Sequence, residues 1–470
     1  MDALRSGVWV CDGFVLVYFV ALNLYYVLLV LVGSREVVDY VKGRPLRDFD
    51  FIGESPLSKA VSLLVPAYNE EPVLVESIRN LLALNYANFE VIVINDGSTD
   101  GTLARLQETF GLAPVDRVAH ARLATKPVRA VYQSAFDERL QVIDKENGGK
   151  ADGLNAGLVY ARYPLFLAVD ADTVLDRDAL SRLVWQFQGR PDTVACGGMV
   201  RIANGSIVAD GHLVDVRTPR QTLVNLQILE YLRAFLAGRT AWSRLGILLI
   251  ISGALGLFDR ATVIEAGGYD TDTVGEDAEL VFRLHRFCRE QGRAYRISFV
   301  ADPVCWTEAP STMRQLTSQR DRWQRGLLQG IWKHRSMLGR RRYGRIGLVG
   351  LPLLLVFDVV GPFIEMLGYP AFALSLALDL VSAWSAVQVL ILGIAFGFAL
   401  SLAALFLEER GFQRYRRWTC IGRLVLAAIV ENFGYRQYNT FVRVRALFRL
   451  KTGRHTWGEM QRVGFAPSRV

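Results

Sequence analysis

Two blocks of long apolar runs enclose a middle section in which the apolar runs are short. The first block runs from Val8 to Val32, and the second extends over about 346–440. A helix needs about 20 mainly apolar residues to cross a bilayer, and both blocks contain runs of that length. The pattern therefore predicts a soluble domain inserted between membrane-spanning helices.

The apolar blocks predict one span before this domain and about four after it. Arg35, Lys42 and Arg44 follow the first span closely, whereas only Arg5 precedes it. The positive-inside rule therefore places the N-terminus outside and the domain in the cytoplasm. The first run is long for a cleaved signal peptide, so we expect an uncleaved anchor. The later spans are expected at about 346–367, 369–386, 387–407 and 419–440.

Three acidic residues, Asp358, Glu365 and Glu431, fall inside the predicted C-terminal spans. A charged side chain in lipid is costly, so these residues should face other helices or a polar path that could serve as a channel. Pairing with arginines such as Arg423 is the alternative.

The middle section alternates between strand-like and helix-like patterns. Val61–Pro66 and Phe89–Ile94 are short apolar runs typical of buried strands, and a helix is predicted between them at about 71–84. Phe166–Val169 is a further run of this kind. The alternation predicts a parallel, doubly wound α/β sheet. In open sheets of this class, ligands bind at the carboxyl ends of the strands.

Carboxylates follow two of these strands. Asp96 ends the second strand, while Asp170 and Asp172 follow Phe166–Val169. If the strand continues through Asp170 and Asp172, their side chains point the same way. Two hard oxygen ligands suit Mg²⁺ or Mn²⁺, and such an ion suits a diphosphate. The alternative for all three is a role as ordinary turn residues.

Two other groups stand at predicted helix starts. Gly148-Gly149-Lys150 precedes a predicted helix over 151–160, where backbone N–H groups can hold an anion. It lacks the spacing of a P-loop. Glu276-Asp277 leads into the helical stretch 278–291, where acidic residues also serve as caps.

Two segments have a basic helical pattern. The first, about 313–334, places Gln319, Arg322 and Trp323 on one face. The second, 219–249, mixes apolar residues with arginines, which is typical of an interfacial helix or of one packed on the soluble domain. Its arginines at helical spacing are Arg233, Arg239 and Arg244.

Composition narrows the class of protein. The chain is 51% hydrophobic with a net charge of +8, and no nucleic-acid-binding motif accompanies the charge. In a membrane protein such a charge indicates cytoplasmic loops and a basic rim at the lipid, so we expect no nucleic-acid partner. The five cysteines are scattered, which fits a reducing compartment and no disulfide framework.

The acidic groups and the basic helix occur in a characteristic order. Asp96 is followed by Asp170-Ala171-Asp172, then by Glu276-Asp277, then by Gln319-Arg320-Asp321-Arg322-Trp323 before the second apolar block. This order resembles the processive family-two glycosyltransferases, which include the cellulose, hyaluronan, chitin and poly-N-acetylglucosamine synthases. The resemblance covers roughly 58–335 and the layout of the flanking spans.

The resemblance implies an α/β, Rossmann-like GT-A fold and a nucleoside-diphosphate-sugar donor. It implies that Asp277 is the general base for the acceptor hydroxyl and that Asp172 binds Mg²⁺ or Mn²⁺. The remaining implied contacts are Asp96 with the uracil or ribose, Lys150 with the diphosphate, Asp170 with the nucleotide, and Gln319, Arg322 and Trp323 with the diphosphate and the acceptor end.

The sequence departs from the family pattern at two places. Gly275 precedes the acidic pair where Thr is more usual. Ser252-Gly253-Ala254-Leu255 stands where cellulose synthases carry Phe-Phe-Cys-Gly, which disfavours cellulose as the product. We therefore expect UDP-N-acetylglucosamine as the donor, with UDP-glucose next.

The predicted protein is an inverting transferase of the bacterial inner membrane that polymerises a β-linked glycan and passes it outward. Its partners would be a UDP-sugar, the growing glycan and the lipid bilayer, with accessory subunits left open. One alternative is transfer of a single sugar to a lipid carrier, and another is a transporter or channel with a regulatory domain. The predicted parts are an anchor (1–42), a catalytic domain (43–312), interfacial helices (313–345), C-terminal spans (346–440) and a basic cytoplasmic tail (441–470).

Overall fold

The strands of the protein lie between the two apolar blocks and form one large sheet. The computed structural model describes residues 2–209 and 212–449. The basic tail from residue 450 onward, including Lys451 and Arg454, lies outside the described residues. The sheet has ten strands in the order β3-β4-β5-β2-β1-β6-β11-β8-β12-β7, and β9 and β10 form a separate hairpin. The strands are β1 (Val61–Ala67), β2 (Phe89–Asp96), β3 (Leu112–Pro114), β4 (Val128–Ser134), β5 (Leu140–Lys145), β6 (Leu165–Val169), β7 (Val174–Leu175), β8 (Thr193–Ile202), β9 (Ile207–Ala209), β10 (His212–Asp215), β11 (Leu255–Asp259) and β12 (Arg296–Thr307).

The centre of the sheet is parallel, as the alternating pattern predicts. β1 pairs in parallel with β2 and with β6, with Val61 opposite both Phe89 and Leu165. Nearly every residue of these strands is buried, which explains their continuous apolar runs. The carboxyl ends of β1, β2 and β6 therefore meet at one edge, where Asp96 and Asp170 lie.

The predicted parallel pairing does not hold for the whole sheet: β3, β4 and β7 are antiparallel to their partners, and so is β11 within the sheet. This strand is antiparallel to both β6 and β8, and it fills the position between them. The chain passes from β6 to β8 through a helix and leaves a gap one strand wide, so a later segment can enter from the opposite direction. Gly197 and Gly198 of β8 have almost no space for a side chain, because Ile251, Leu255 and Val304 pack against them.

Helices cover the sheet and form the apolar segments. The α-helices are α1 (Asp2–Gly43), α2 (Phe49–Glu54), α3 (Leu74–Leu82), α4 (Thr102–Phe110), α5 (Lys150–Tyr160), α6 (Ala179–Gln188), α7 (Thr222–Tyr231), α8 (Thr240–Leu245), α9 (Arg260–Glu265), α10 (Glu276–Glu290), α11 (Met313–Lys333), α12 (Leu351–Leu353), α13 (Gly361–Ala377), α14 (Ala383–Gly411), α15 (Trp418–Val430) and α16 (Arg436–Phe448). Segments with π-helical hydrogen bonding are Leu232–Arg239, Ile346–Gly350, Leu354–Val360 and Glu431–Tyr435, and 3₁₀ turns are Arg44–Leu46, Arg335–Met337 and Arg341–Tyr343.

Three helical segments of the described chain are long and apolar enough to cross a membrane. They are Leu4–Leu46, Ile346–Ala377 and Ala383–Gly411. The first contains the predicted apolar span Val8–Val32 and extends beyond it, mainly at its C-terminal end. The 42 residues of α1 measure about 63 Å at 1.5 Å per residue, roughly twice the hydrocarbon thickness. Its C-terminal part therefore leaves the apolar layer and packs on the sheet domain, where Val37 and Tyr40 are buried.

The C-terminal apolar block differs from the predicted arrangement of about four spans. Predicted spans 346–367 and 369–386 are one helical segment up to Ala377, with Pro370 inside it and a break only at 378–382. The predicted span 387–407 lies within α14. The predicted span 419–440 is broken, because Phe433 and Gly434 have non-helical backbone angles between α15 and α16.

The three acidic residues of this block all have partners on other segments. Asp358 pairs with Arg443 at 3.2 Å, and Glu365 accepts a hydrogen bond from Thr440 at 2.8 Å. Glu431 is fully buried, and Arg233 and Arg436 donate to it at 2.7 and 2.9 Å. Pairing with arginines is therefore confirmed for Asp358 and Glu431. The suggested partner Arg423 instead donates to the carbonyl of Thr218.

Polar contacts between buried residues attach the sheet domain to these helices. Arg201 of β8 forms a two-point ion pair with Glu408 of α14, and neither side chain is exposed. Tyr40 of α1 donates a hydrogen bond to Asp302 of β12 at 2.9 Å. The strand edge that carries the acidic residues is thus held in a fixed position relative to α1 and α14.

Candidate active site

The Asp170-Ala171-Asp172 segment leaves the sheet directly after β6. The strand ends at Val169, and the chain turns so that the N–H of Thr173 donates to the carbonyl of Asp170 at 3.1 Å. The condition that the strand continues through both aspartates is therefore not met. Asp170 is partly exposed, whereas Asp172 is buried, so the two carboxylates have different surroundings.

Lys150 lies among the acidic residues. Its Nζ atom is 2.5 Å from Oδ1 of Asp170, 3.6 Å from Oε1 of Glu276 and 3.4 Å from the carbonyl oxygen of Gly253. Burial alone lowers the pKa of a lysine, but the carboxylates of Asp170 and Glu276 outweigh burial and raise the pKa of Lys150. The side chain thus places a positive charge at the strand ends.

The acidic pair Glu276-Asp277 forms the first turn of α10. Oδ2 of Asp277 accepts a hydrogen bond from the N–H of Gly253 at 2.9 Å, and Oδ1 accepts one from the N–H of Ala278 at 2.8 Å. Glu276 is buried, and burial raises its pKa although Lys150 opposes that effect. A small cavity lies between Lys150, Gly253 and the acidic pair, so both carboxylates border the same space.

The glycine that replaces the usual Thr before this pair has a packing reason. A Cβ atom on Gly275 would lie 2.8 Å from the Cα atom of Gly326 on α11. A Cβ on Gly326 would in turn lie 2.7 Å from the Cα atom of Gly275. The two glycines therefore allow α11 to touch the start of α10, which brings the face of α11 next to Asp277.

Helix α11 presents the predicted Gln-x-x-Arg-Trp residues on that side. It begins with a capping box in which Thr312 and Gln315 exchange side-chain and backbone hydrogen bonds. Gln319 is buried, whereas Trp323 is 43% exposed with its ring 6.4 Å from that of Tyr231. The positive charge of Arg322 makes a smaller contribution that lowers the pKa of Glu276.

Asp96 lies at the end of β2, and its carboxylate accepts hydrogen bonds from three groups. Nζ of Lys145 donates to it at 2.7 Å, and the N–H groups of Gly148 and Gly149 donate at 3.0 and 2.7 Å. Gly149 has φ +86°, a conformation that favours glycine. Asp96 therefore fixes the turn that leads into α5 and so determines where Lys150 lies.

Two basic residues near the site were missed at the sequence level. No motif in the sequence points to Lys145, which is fully buried between Asp96 and Asp152. Arg239 was interpreted as part of an amphipathic pattern. Burial lowers the pKa of Arg239 to about 10, while Asp277 and Tyr231 oppose that effect.

The π-helical segment explains why the regular helical spacing of the arginines did not predict the position of Arg239. Leu232–Arg239 has wider turns than an α-helix, which changes the direction of the residues that follow. The Nη1 atom of Arg239 is buried without a hydrogen-bond partner among the described residues. Its guanidinium carbon lies 3.8 Å from the ring centroid of Phe235. Such π segments often occur at functional sites, which is the only general signal that points to this residue.

The carboxylates that follow β6 suit a divalent ion if the phosphates of a bound ligand complete its coordination. The described residues contain no group of three or more His, Cys, Asp or Glu that could hold a metal. Mg²⁺ is commonly bound by one or two carboxylates together with substrate phosphates. Asp170 and Asp172 supply that number of carboxylates next to the lysine described above.

Comparisons with known proteins identify the family of the chain. Residues 62–213 match the family described as Glycosyl transferase family 2, and residues 165–407, more than half of the chain, match Glycosyl transferase family group 2. The chain is 28% identical over 317 residues to a poly-beta-1,6-N-acetyl-D-glucosamine synthase of Staphylococcus aureus, covering 67% of this chain and 65% of that protein. The chain thus spans less than two thirds of that relative's length.

Two further similarities extend these matches. A poly-beta-1,6-N-acetyl-D-glucosamine synthase of Staphylococcus epidermidis is 28% identical over 326 residues, covering 68% of this chain and 67% of that protein. The solved structure of a mannosyltransferase from Pyrobaculum calidifontis, in complex with GDP-Man and Mn²⁺, has a TM-score of 0.50 and 21% identity. It covers 88% of this chain and 99% of its own, and this likeness bears on the fold alone.

Proposed function

Because the chain belongs to glycosyl transferase family group 2 and has the predicted α/β GT-A fold, we propose that it is a membrane-integrated, inverting glycosyltransferase. It polymerises a β-linked glycan from UDP-N-acetylglucosamine, with UDP-glucose as the next candidate. The observation that carries the proposal is the convergence of Lys150, Asp170 and Asp277 at one strand edge, bordered by α11.

The donor half of the proposed site consists of groups at the strand ends. Asp96 contacts the uridine, Asp170 binds the nucleotide, and Lys150 and Arg322 hold the diphosphate. Asp172, assisted by Asp170, would hold Mg²⁺ or Mn²⁺, which neutralises charge on the leaving diphosphate when bound. The positive charge of Lys150, maintained by its carboxylate neighbours, supports this assignment.

The acceptor half lies across the small cavity. Asp277 removes the proton of the acceptor hydroxyl as its oxygen attacks the anomeric carbon of the donor sugar. The bond from that carbon to the diphosphate oxygen breaks, and UDP leaves with the electron pair. Attack opposite to the leaving group inverts the configuration and gives a β-linkage. Backbone N–H groups on both oxygens of Asp277 support this role, because they fix the carboxylate while leaving lone pairs for the proton.

Gln319 and Trp323 bind the end of the growing glycan in this proposal. The indole of Trp323 offers a flat face to a sugar ring, and its exposure supports that use. The names of the Staphylococcus relatives favour N-acetylglucosamine as the sugar. Passage of the glycan across the bacterial plasma membrane, with the catalytic domain cytoplasmic, is part of the same proposal and rests on the apolar segments.

A donor screen with the purified full-length protein tests the proposal. UDP release is measured with UDP-N-acetylglucosamine, UDP-glucose and GDP-mannose, each with Mg²⁺ or Mn²⁺, and the product is sized by gel filtration. We expect release with UDP-N-acetylglucosamine and a polymeric product. A product of one added sugar on a lipid carrier would refute polymerisation, and no UDP release with either UDP-sugar would refute the activity.

A further inference from the structure

A second cavity, of about 300 Å³, lies between the segment after β10 and the start of α15. None of its lining residues belongs to the candidate active site. Its lining includes four arginines and two threonines: Arg217, Arg220, Arg417, Arg423, Thr218 and Thr419.

The positive charge around this cavity exceeds the negative charge that the described residues supply. Asp215 accepts hydrogen bonds from Arg217 and from Arg417, both at 2.7 Å, so one carboxylate serves two guanidinium groups. Within the described part of the chain, Arg423 donates to a neutral acceptor, the carbonyl of Thr218, at 2.6 Å and forms no ion pair. Arg220 has no ion pair among the described residues. Arginines that surround one space in this way are a pattern that favours a polyanionic group.

Two neutral donors reinforce the preference for an anion. Helix α15 is 13 residues long, and its cap residue Arg417 supplies no side-chain acceptor for the first N–H groups. The N-terminus of a helix binds anions through such N–H groups and the helix dipole. Thr218 is only 3% exposed, lines the cavity, and has a hydroxyl oxygen without a hydrogen-bond partner among the described residues.

We propose that this cavity binds a phosphate group, carried either by a lipid headgroup or by a soluble phosphate compound. Guanidinium groups bind two phosphate oxygens at once, which neither chloride nor a single carbonyl offers. Both sources can reach the cavity because α14 ends and α15 begins beside the sheet domain, where Glu408 pairs with Arg201. The exposed indole of Trp418 at the start of α15 is typical of a membrane–water interface.

The cavity is connected to the acceptor side of the active site through one helix. The segment that carries Arg217 and Arg220 continues into α7, which begins at Thr222. Glu230 near the end of α7 pairs with Arg320 at 2.8 Å, next to Trp323 on α11. A phosphate bound to Arg217 and Arg220 therefore also fixes the start of α7, and α7 supports α11.

Charge-matched variants of the full-length protein test the proposal. The cavity variant is Arg220→Gln with Arg417→Gln, and the control is Arg190→Gln with Arg416→Gln, which removes the same charge from exposed positions outside the cavity. Inorganic phosphate is titrated calorimetrically into detergent-solubilised protein. In parallel, retention of phosphatidylglycerol from mixed phosphatidylglycerol–phosphatidylcholine nanodiscs is measured by native mass spectrometry.

We expect binding in at least one arm to weaken about tenfold in the cavity variant and to be unchanged in the control. Loss confined to phosphatidylglycerol assigns a lipid headgroup, and loss confined to inorganic phosphate assigns a soluble ligand. Unchanged binding in both arms, or an equal loss in the control, overturns the proposal. Should the double variant fail to fold, Asp215→Asn is tested in its place. This change frees Arg217 and Arg417 from their carboxylate partner, so phosphate binding must tighten severalfold, and unchanged binding overturns the proposal.

Discussion

The backbone N–H of Gly253 donates a hydrogen bond to Oδ2 of Asp277 at 2.9 Å. A Cβ atom at residue 253 would lie 3.2 Å from that oxygen and 3.0 Å from Nζ of Lys150. The departure Ser252-Gly253-Ala254-Leu255 therefore has a structural consequence, because its glycine lies between the proposed base and Lys150, which we propose to bind the diphosphate. The relationship also makes a conservative test of Asp277 possible.

Replacement of Asp277 by asparagine should abolish sugar transfer without unfolding the protein. The amide oxygen can still accept from Gly253, but an amide cannot take the proton of the acceptor hydroxyl. We expect kcat to fall by at least about 100-fold while binding of UDP is retained. UDP release and UDP affinity are to be measured on the same preparation, with the exposed Asp272→Asn as the control. Near-normal turnover would remove Asp277 from the role of base.

Asp172→Asn should impair the metal-dependent half of the reaction. It removes one of two carboxylates at the end of β6, so charge on the leaving diphosphate is less well neutralised. We expect a fall in kcat/KM of about 100-fold or more, together with a higher concentration of Mg²⁺ or Mn²⁺ for half-maximal activity. The matched control is Asp116→Asn, an exposed aspartate. An unchanged metal requirement would exclude Asp172 as the ligand.

Two tryptophans on α11 provide a matched pair for the acceptor side. Trp323 is 43% exposed beside Tyr231, whereas Trp332 is 69% exposed and stacks with Arg335. We expect Trp323→Ala to lower the rate about tenfold and to shorten the product, because a stacking face for the glycan is lost. Trp332→Ala should leave product length unchanged. Equal effects of the two substitutions on product length would contradict a specific acceptor contact.

The ion pair between Arg201 and Glu408 should contribute to stability through its burial. Glu408→Gln leaves the guanidinium of Arg201 buried and without its charged partner, so we expect a loss of about 3–5 kcal/mol. Glu76→Gln is the control, because Glu76 pairs with Arg79 and both side chains are 54% exposed. That change should cost less than about 1 kcal/mol. Thermal unfolding in detergent measures both, and similar midpoints would refute the prediction.

Acid should destabilise the sheet domain through His285. This side chain is buried, and burial lowers its pKa from about 6.5 to about 4. The neutral ring satisfies both neighbours by donating from Nε2 to the carbonyl of Leu248 and accepting at Nδ1 from Tyr295. Because the unfolded chain binds the proton first, stability is fully present above pH 6.5 and is lost as the pH falls toward 4.

The loss should reach about 2 kcal/mol by pH 5, with a limit of about 3 kcal/mol. Unfolding midpoints between pH 7 and pH 5 measure it. His285→Gln should be less stable at pH 7 but should lose the part of the pH dependence that His285 causes. If the variant and the natural protein show the same pH dependence, another group is responsible.

Much of the fold followed from local pattern. β1 and β2 begin at Val61 and Phe89, where the predicted strands begin, and α11 agrees within one residue with the predicted helix at 313–334. Continuous apolar runs identify strands that are buried on both faces, and these residues are buried in the structure. The same apolar runs predicted that Asp96 and Asp170 lie at strand ends.

Contacts between distant residues were decided only by the tertiary structure. No local pattern indicates that β11 enters the sheet in the opposite direction, or that Gly275 meets Gly326. The partner of Asp358 is Arg443 rather than Arg423, and the buried Arg239 follows a π-helical segment close enough to Asp277 for that carboxylate to oppose the lowering of its pKa. Periodicity in a sequence reports the burial of each residue within its own helix or strand. Which residues meet across the site depends on packing among elements far apart in the chain, and the sequence pattern alone does not contain that information.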